Sequence, residues 1–333
     1  MDFTFGLLLY NQEEYAIETL ESIKFQIIHY GNDVNFNLII TDDASKDNSV
    51  KIVKKWLDVN NKLFKNILFN VNKVNKGTVW GQQFILDNNK TKYCKIIACD
   101  DVFGSHNLFE EFQNLRSKQI KSFICTELKG HSLKFHEDRL REFYINKKEV
   151  CKKHDHLKKM RRGCYIHTPS TIYISTMYEL GECKKNNQQF RLFEDDPSWY
   201  AMLKNIDNLN VEFEEDIIVL YRISTQSISN NLDTNNIFYS ELKQLWGIYY
   251  KETYGMEKIY FWFRLHDKLP KILRYDKYVD KLRRWKIKHL LRKDPNYKIF
   301  LEHIRKKIEQ EQKFYNEILA NTKEFLELIK NNP

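Results

Sequence analysis

Short apolar runs at residues 3–9, 38–40, 67–71 and 96–99 alternate with stretches whose apolar residues recur at helical spacing. Apolar runs of this length, repeatedly interrupted by helix patterns, read as buried strands linked by helical crossovers. The first 125 residues are therefore expected to form parallel βαβ units in an α/β, doubly wound, mostly parallel sheet. Asn11 is expected to cap a helix with Glu14 at its third position and Ala16, Leu20, Ile23 and Ile27 on its apolar face. Val53, Trp56 and Leu57 mark a second helix, residues 84–88 a third, and Leu108, Phe109, Phe112 and Leu115 a fourth. Further strands are expected at 123–126, 171–174 and 217–221. Residues 128–165, rich in Lys, Arg and His, read as long loops and short helices. From about Asn235 the pattern is helical, aromatic and basic with no sheet signal, which places a boundary between a domain at 1–234 and a helical C-terminal region at 235–333.

The formal charge of +9, from 54 Lys+Arg against 45 Asp+Glu, suits phosphorylated ligands or an anionic membrane surface. No nucleic-acid reader motif accompanies it, so no nucleic acid is expected as partner. The six cysteines form no C-x-x-C pair, which argues for free thiols in a reducing cytoplasm and against a zinc site. The first residues enter an apolar run without a basic stretch, and no run reaches 18 apolar residues, so neither a signal peptide nor a spanning helix is expected. The expected location is cytoplasmic, at the inner face of the cell membrane.

Ligands of an open parallel sheet bind beyond the carboxyl ends of its strands. Three polar clusters stand at those ends: Tyr10-Asn11, Asp42-Asp43 and Asp100-Asp101. For Asn11 alone a capping role is favoured, and for Asp42-Asp43 a cap-and-turn role is level with a ligand role. For Asp100-Asp101 the ligand role leads, because adjacent carboxylates repel unless a cation or donors offset them. The acidic run Glu194-Asp195-Asp196 precedes Pro197, where a helix is expected to begin; helix capping explains it adequately on the residues alone.

In order along residues 3–230, these motifs resemble family 2 glycosyltransferases of the GT-A fold. The resemblance is carried by Tyr10-Asn11-Gln12-Glu13-Glu14-Tyr15, the run Leu38 to Asp47, Asn75-Lys76-Gly77, the run Ile96 to Asp101, Glu194-Asp195-Asp196-Pro197-Ser198-Trp199 and the run Tyr221 to Ser229. It implies an inverting transfer of a sugar from a nucleotide diphosphate donor to a glycan or lipid-linked acceptor, in bacterial surface-polysaccharide synthesis. UDP-sugar is the favoured donor. By position, Tyr10 would stack on the base and Asp43 would bind its edge, with Asn11, Asn75, Gly77, Asp101 and Arg222 also on the donor side. Asp100 would hold Mn²⁺ or Mg²⁺ against the diphosphate, and Asp195 would be the catalytic base, with Glu194, Asp196 and Trp199 on the acceptor side. For Arg222, an ion pair to the acidic run 212–216 competes with diphosphate binding. The chain departs from the family pattern at Leu8, Leu9, Gln82, Ala98 and Ser224. Ala98 replaces the first Asp of D-x-D, and Ser224 stands where His is common. These losses keep open a catalytically inactive, nucleotide-sugar-binding scaffold subunit.

Residues 259–293 join the aromatic run 259–263 to the basic run 281–288. A packed helical appendage is slightly favoured over peripheral docking on an anionic membrane, because the apolar positions Leu282, Trp285, Ile287, Leu290 and Leu291 scatter around a helical wheel. Residues 299–330 read as one long charged helix packing on its own chain. His131, His136, His154, His156 and His167 are expected at the surface or in the acceptor groove, not at a metal.

Overall fold

The computed structural model describes residues 1–149, 153–223, 232–270 and 274–331. The chain opens with β1 (Asp2–Leu9), α1 (Ala16–Tyr30), β2 (Asn35–Asp42), α2 (Ser49–Asn60), β3 (Asn66–Val71), α3 (Thr78–Asn88) and β4 (Tyr93–Ala98). These strands form one parallel sheet in the order β3-β2-β1-β4, as the alternation requires. The chain steps outward from β1 to β3 and then returns to the other side of β1. That reversal opens a crevice beyond the carboxyl ends of β1 and β4. Phe3, Phe5, Leu7 and Leu9 share one face of β1 and are buried against Leu20 and Ile23 of α1. Phe3 meets Phe109 and Phe112 edge-on, with ring centroids 5.2 and 5.0 Å apart.

Next come β5 (Val102–Phe103), α4 (Leu108–Gln113), β6 (Gln119–Phe123), β7 (Thr126–Lys129), β8 (Ser132–Lys134), α5 (Glu137–Lys148) and α6 (Lys153–Arg162). They are followed by β9 (Thr171–Ile172), α7 (Thr176–Leu180), α8 (Cys183–Asn187), α9 (Asp195–Asn205), β10 (Asn210–Glu214) and β11 (Val219–Arg222). Two small mixed sheets result, β10-β6-β9 and β5-β11-β7-β8.

The strand expected at 123–126 is divided between these two sheets. Ile124 leaves β6 to donate its N–H to the Asp216 carbonyl, and pairing resumes with β11 at Thr126. Residues 128–165 hold a hairpin turning at Gly130, with φ +59°, and two helices of 12 and 10 residues. Their weak apolar signal has a cause: α5 buries only Leu140 and Tyr144. The expected Asn11 cap is not formed. Helix α1 begins at Ala16, its N-cap residue Tyr15 makes no side-chain cap bond, and Asn11 lies in the left-handed region at φ +51°. Its Oδ1 accepts from Lys46 N (2.8 Å), so it ties the turn after β1 to the loop after β2.

The C-terminal region comprises α10 (Leu232–Glu252), α11 (Gly255–Leu265), α12 (Tyr275–Arg292) and α13 (Pro295–Asn331). Tyr249, Tyr260 and Phe261 are buried in one core with Trp199 and Met202 of α9, so part of the aromatic run fills a core. Helix α13 packs along its own chain, burying Ile304, Tyr315 and Ile318 with Leu220 and Val102. Its Glu311 accepts from Ser105 Oγ (2.6 Å) and Ser105 N (3.0 Å). No helix among the described residues is long and apolar enough to cross a membrane.

Candidate active site

A cleft of about 910 Å³ lies beyond the carboxyl ends of β1 and β4. Tyr10, Asn11, Asp43, Asn75, Gly77, Asp100, Asp101, Glu194, Asp195, Asp196 and Arg222 all line it, although the sequence separates them by up to 212 residues. Trp199 does not line it. Its ring is buried, and Nε1 donates to Thr168 Oγ1 (2.7 Å), a residue of the cleft wall.

One end of the cleft is a scaffold of backbone bonds. Asp43 Oδ1 accepts from Lys76 N (2.7 Å) and Asn72 Nδ2 (3.1 Å), and Oδ2 from Gly77 N (2.8 Å). Asp43 therefore moulds the 75–77 loop and retains acceptor capacity on Oδ2. Gly77 has φ +92°, and a Cβ there would lie 2.4 Å from the Arg191 carbonyl oxygen, so only glycine fits. Arg191, which the motif reading missed, donates to Asn75 Oδ1 (2.7 Å). Tyr10 lines the same cleft with 43% of its surface exposed, leaving its ring available to a flat ligand.

At the β4 end, Asp100 is half-buried and Asp101 fully so. Asp101 Oδ1 accepts from Arg222 N (2.8 Å), which places that carboxylate under β11. The Arg222 side chain is committed to protein partners: Nε to the Asp100 carbonyl (2.7 Å), Nη1 to the Gly130 carbonyl (3.2 Å), and Nη2 to Glu18 (2.5 Å) and Tyr315 OH (3.3 Å). Its ion partner is thus Glu18, not the acidic run 212–216. Its guanidinium fork is therefore occupied by protein partners and is not free to take a phosphate directly. Burial pushes the Asp100 carboxyl up to about 6, against the pull of the Arg222 charge and a hydrogen bond from Gln12. Gln12 Oε1 is buried without a partner among the described residues. One carboxylate with a bare carbonyl oxygen beside it fits Mg²⁺ or Mn²⁺, which take one or two protein oxygens and complete their shell with phosphates and water. Ala98 removes a second carboxylate, and Ser224 lies outside the described residues.

The acidic run opens α9 across the cleft. Thr78 Oγ1 donates to Glu194 Oε2 (2.9 Å), and burial together with the Asp195 charge pushes the Glu194 carboxyl up to about 8. Burial takes Asp196 up to about 7, with a hydrogen bond from Cys164 opposing it. Asp195 is also raised by burial, but Thr168, Glu194 and the charge of Lys95 all favour its ionised form. Burial thus raises all three neighbouring carboxyls, and at Asp195 the hydrogen bonds of Thr168 and Glu194 and the charge of Lys95 oppose the rise.

Lys95 is the site residue that motif reading missed most plainly. Lying in β4 and only 3% exposed, it donates from Nζ to the carbonyls of Thr171 (2.8 Å) and Thr168 (3.3 Å). Burial lowers its ammonium to about 7, with Asp101 and Asp195 opposing. A single charge inside an apolar strand run was its signal. Glu241 of α10 had none. Its carboxylate accepts from Arg191 N (2.7 Å), Leu192 N (3.0 Å) and Phe193 N (2.9 Å), fixing the chain that leads into Glu194.

Of the histidines, His167 reaches the cleft, where burial holds its ring neutral and Cys125 Sγ lies 3.1 Å from Nε2. Among the described residues, a cluster with ligand-like spacing, His106, Glu111 and Asp216, lies outside the cleft, and its carboxylates already pair with Lys121 (2.8 Å) and Lys307 (2.5 Å).

The sequence profile described as "Glycosyl transferase family 2" matches residues 6–179. The chain belongs to that family. The matched segment ends before Glu194, so the acidic run and Arg222 lie beyond it. Among solved structures, TarS 1-349 of S. aureus in complex with UDP-GlcNAc is similar to this family 2 chain at 13% identity and a TM-score of 0.53, covering 96% of this chain and 92% of that one. Another S. aureus TarS structure is similar at 15% identity and a TM-score of 0.51, covering 91% of this chain. The family 2 chain spans 55% of the length of that TarS chain. At these identities the likeness shows the fold. No curated protein matches the sequence.

Proposed function

We propose that the chain is an inverting glycosyltransferase that moves a sugar from a nucleotide diphosphate to a hydroxyl of a glycan or lipid-linked acceptor in surface-polysaccharide synthesis. The observation that carries this reading is the convergence of Asp100 and Asp195 in one cleft at the point where the strand order reverses. UDP is the favoured nucleotide. Tyr10 offers a ring for the base and Asp43 Oδ2 an acceptor for its edge, and TarS 1-349, which shares the fold, is in complex with UDP-GlcNAc.

Asp100 is the residue to hold Mg²⁺ or Mn²⁺, with Gln12 Oε1 beside it; the cation supplies positive charge to the departing diphosphate. Asp195 takes the proton of the acceptor hydroxyl as its oxygen bonds to the anomeric carbon and the bond to the diphosphate breaks. Attack opposite the leaving group inverts the anomeric centre. Glu194 and Thr168 orient Asp195 by hydrogen bonds, and Lys95 keeps it ionised. Asp101 and Arg222 fix the Asp100 backbone from below. In the same reading residues 1–234 form the catalytic domain, residues 235–333 support it, and the enzyme works at the cytoplasmic face of the membrane.

The test is thermal stabilisation by UDP, GDP, CDP and TDP, with and without Mn²⁺, on wild type and Asp100→Ala. Mn²⁺-dependent stabilisation by UDP, lost in the variant, is expected. Stabilisation by no nucleotide overturns the reading; binding without transfer to any acceptor makes the chain a scaffold subunit.

A further inference from the structure

The sequence leaves the apolar residues of α12 scattered around the helix; packing covers Ile287 and Leu291 and leaves Tyr278, Leu282, Trp285 and Leu290 exposed. Asp276 and Leu291 are buried, Ile287 packs against the α13 core, and Asp280 and Arg283 pair with Arg264 (2.5 Å) and Glu142 (2.8 Å). Spaced by four, three, four and four residues, these five define the inward face. On the opposite side Tyr278, Leu282 and Trp285, spaced by four and three, stand 54%, 52% and 60% exposed. Lys281, Lys286, Lys288 and Arg292 flank that line, all exposed and without an ion-pair partner among the described residues. Helix α12 thus spends both its acids inward and keeps its unpaired cations beside an outward apolar line.

We propose that this face of α12 seats the chain on an anionic lipid surface. Tyr and Trp suit the boundary between headgroups and acyl chains, Leu282 enters the apolar layer, and lysine stems can lie along it with their ammonium groups at the phosphates. Charge selects this occupant over a second copy of the chain, whose matching face would bring like charges together. The placement also serves the cleft. Arg283 of the inward face holds Glu142 of α5, and Glu142 lines the cleft wall, so the lipid-facing helix is one residue contact from the site. The inference rests on the lipid-linked acceptor reading for its purpose only, because binding to lipid is measured without catalysis.

The full chain is sedimented with phosphatidylcholine vesicles and with vesicles carrying about a third phosphatidylglycerol. Binding is expected to the anionic vesicles only, and to fall about tenfold or more both in Leu282→Ser/Trp285→Ser and in Lys281→Gln/Lys288→Gln. Both variants are expected to keep the wild-type Tm and nucleotide stabilisation, which separates failure of this inference from failure of the donor reading. Equal binding to neutral vesicles, no binding to anionic ones, or undiminished binding by both variants overturns the proposal. So does a dimer in solution that the Leu282→Ser/Trp285→Ser change abolishes.

Discussion

Replacing Glu241 by Gln tests whether a helix of the C-terminal region sets the geometry of Asp195, the proposed catalytic base. The native carboxylate accepts three backbone N–H bonds, from Arg191, Leu192 and Phe193. A glutamine can place its carbonyl oxygen at the Oε2 position and retain two of them, each losing charge assistance worth about 1 kcal/mol. Its amide NH₂ then opposes the N–H of Arg191, and a frustrated donor costs about 1–3 kcal/mol. The sum is about 3–5 kcal/mol. For 333 residues the unfolding entropy is about 0.7 kcal/mol/K, so Tm should fall by about 4–7 °C. Phe193 is two residues from Asp195, and displacement of a base by about 1 Å can cost up to 100-fold in rate, so kcat should fall by about 10- to 100-fold. Nucleotide binding should be retained, because the donor-side loop keeps its bonds to Asp43. The assays are a thermal melt, a sugar-transfer rate and a UDP titration. A variant with Tm within about 1 °C and kcat within about twofold of wild type would refute the reasoning.

Two further predictions concern the base itself. Asp195→Asn should abolish transfer while leaving UDP stabilisation intact; an active Asn variant would remove Asp195 from the role. Lys95→Met should move the acidic limb of the kcat–pH profile to higher pH, because losing a cation that favours the ionised carboxylate raises the pKa of Asp195. In stability the sign is opposite to that of a paired lysine. Lys95 is depressed to about 7 when folded, so its charge penalty is full below pH 7 and is relieved as pH rises toward the ordinary lysine range. The Tm of Lys95→Met relative to wild type should therefore be highest near pH 6 and decline above pH 7, and a difference that is flat with pH would contradict it.

The parallel sheet was legible because β1 and β2 are buried on both faces and their apolar runs declare it. Asp100 was legible as a pair of carboxylates delivered by such a run. Asp195 was visible only through the order of motifs, since a helix beginning at the acidic run explains those carboxyls equally well in isolation. Asn11 misled because local capping competes with distant bonds: residues 11–13 bind Ser45, Asp47 and Ser49 instead of starting a helix. Glu241 and Tyr315 were invisible for a related reason. Each acts on residues far away in sequence, and no local pattern marks a side chain whose partner is chosen by packing. The outward face of α12 was hidden too, because periodicity alone does not tell which apolar residues a neighbouring helix will cover.

The floor beneath Asp100 also has a history in time. Arg222 meets Glu18, 204 residues before it, and both meet Tyr315, which is translated 93 residues after Arg222 and 297 after Glu18. Chains emerge from the ribosome in order, and early segments begin folding first. The nascent sheet must therefore carry the charges of Glu18 and Arg222 through most of synthesis before the phenol that completes their network exists. A stop codon within α13 ahead of Tyr315 would do more than shorten a supporting helix. It would leave the newborn cleft with Asp100 resting on an unfinished ion network.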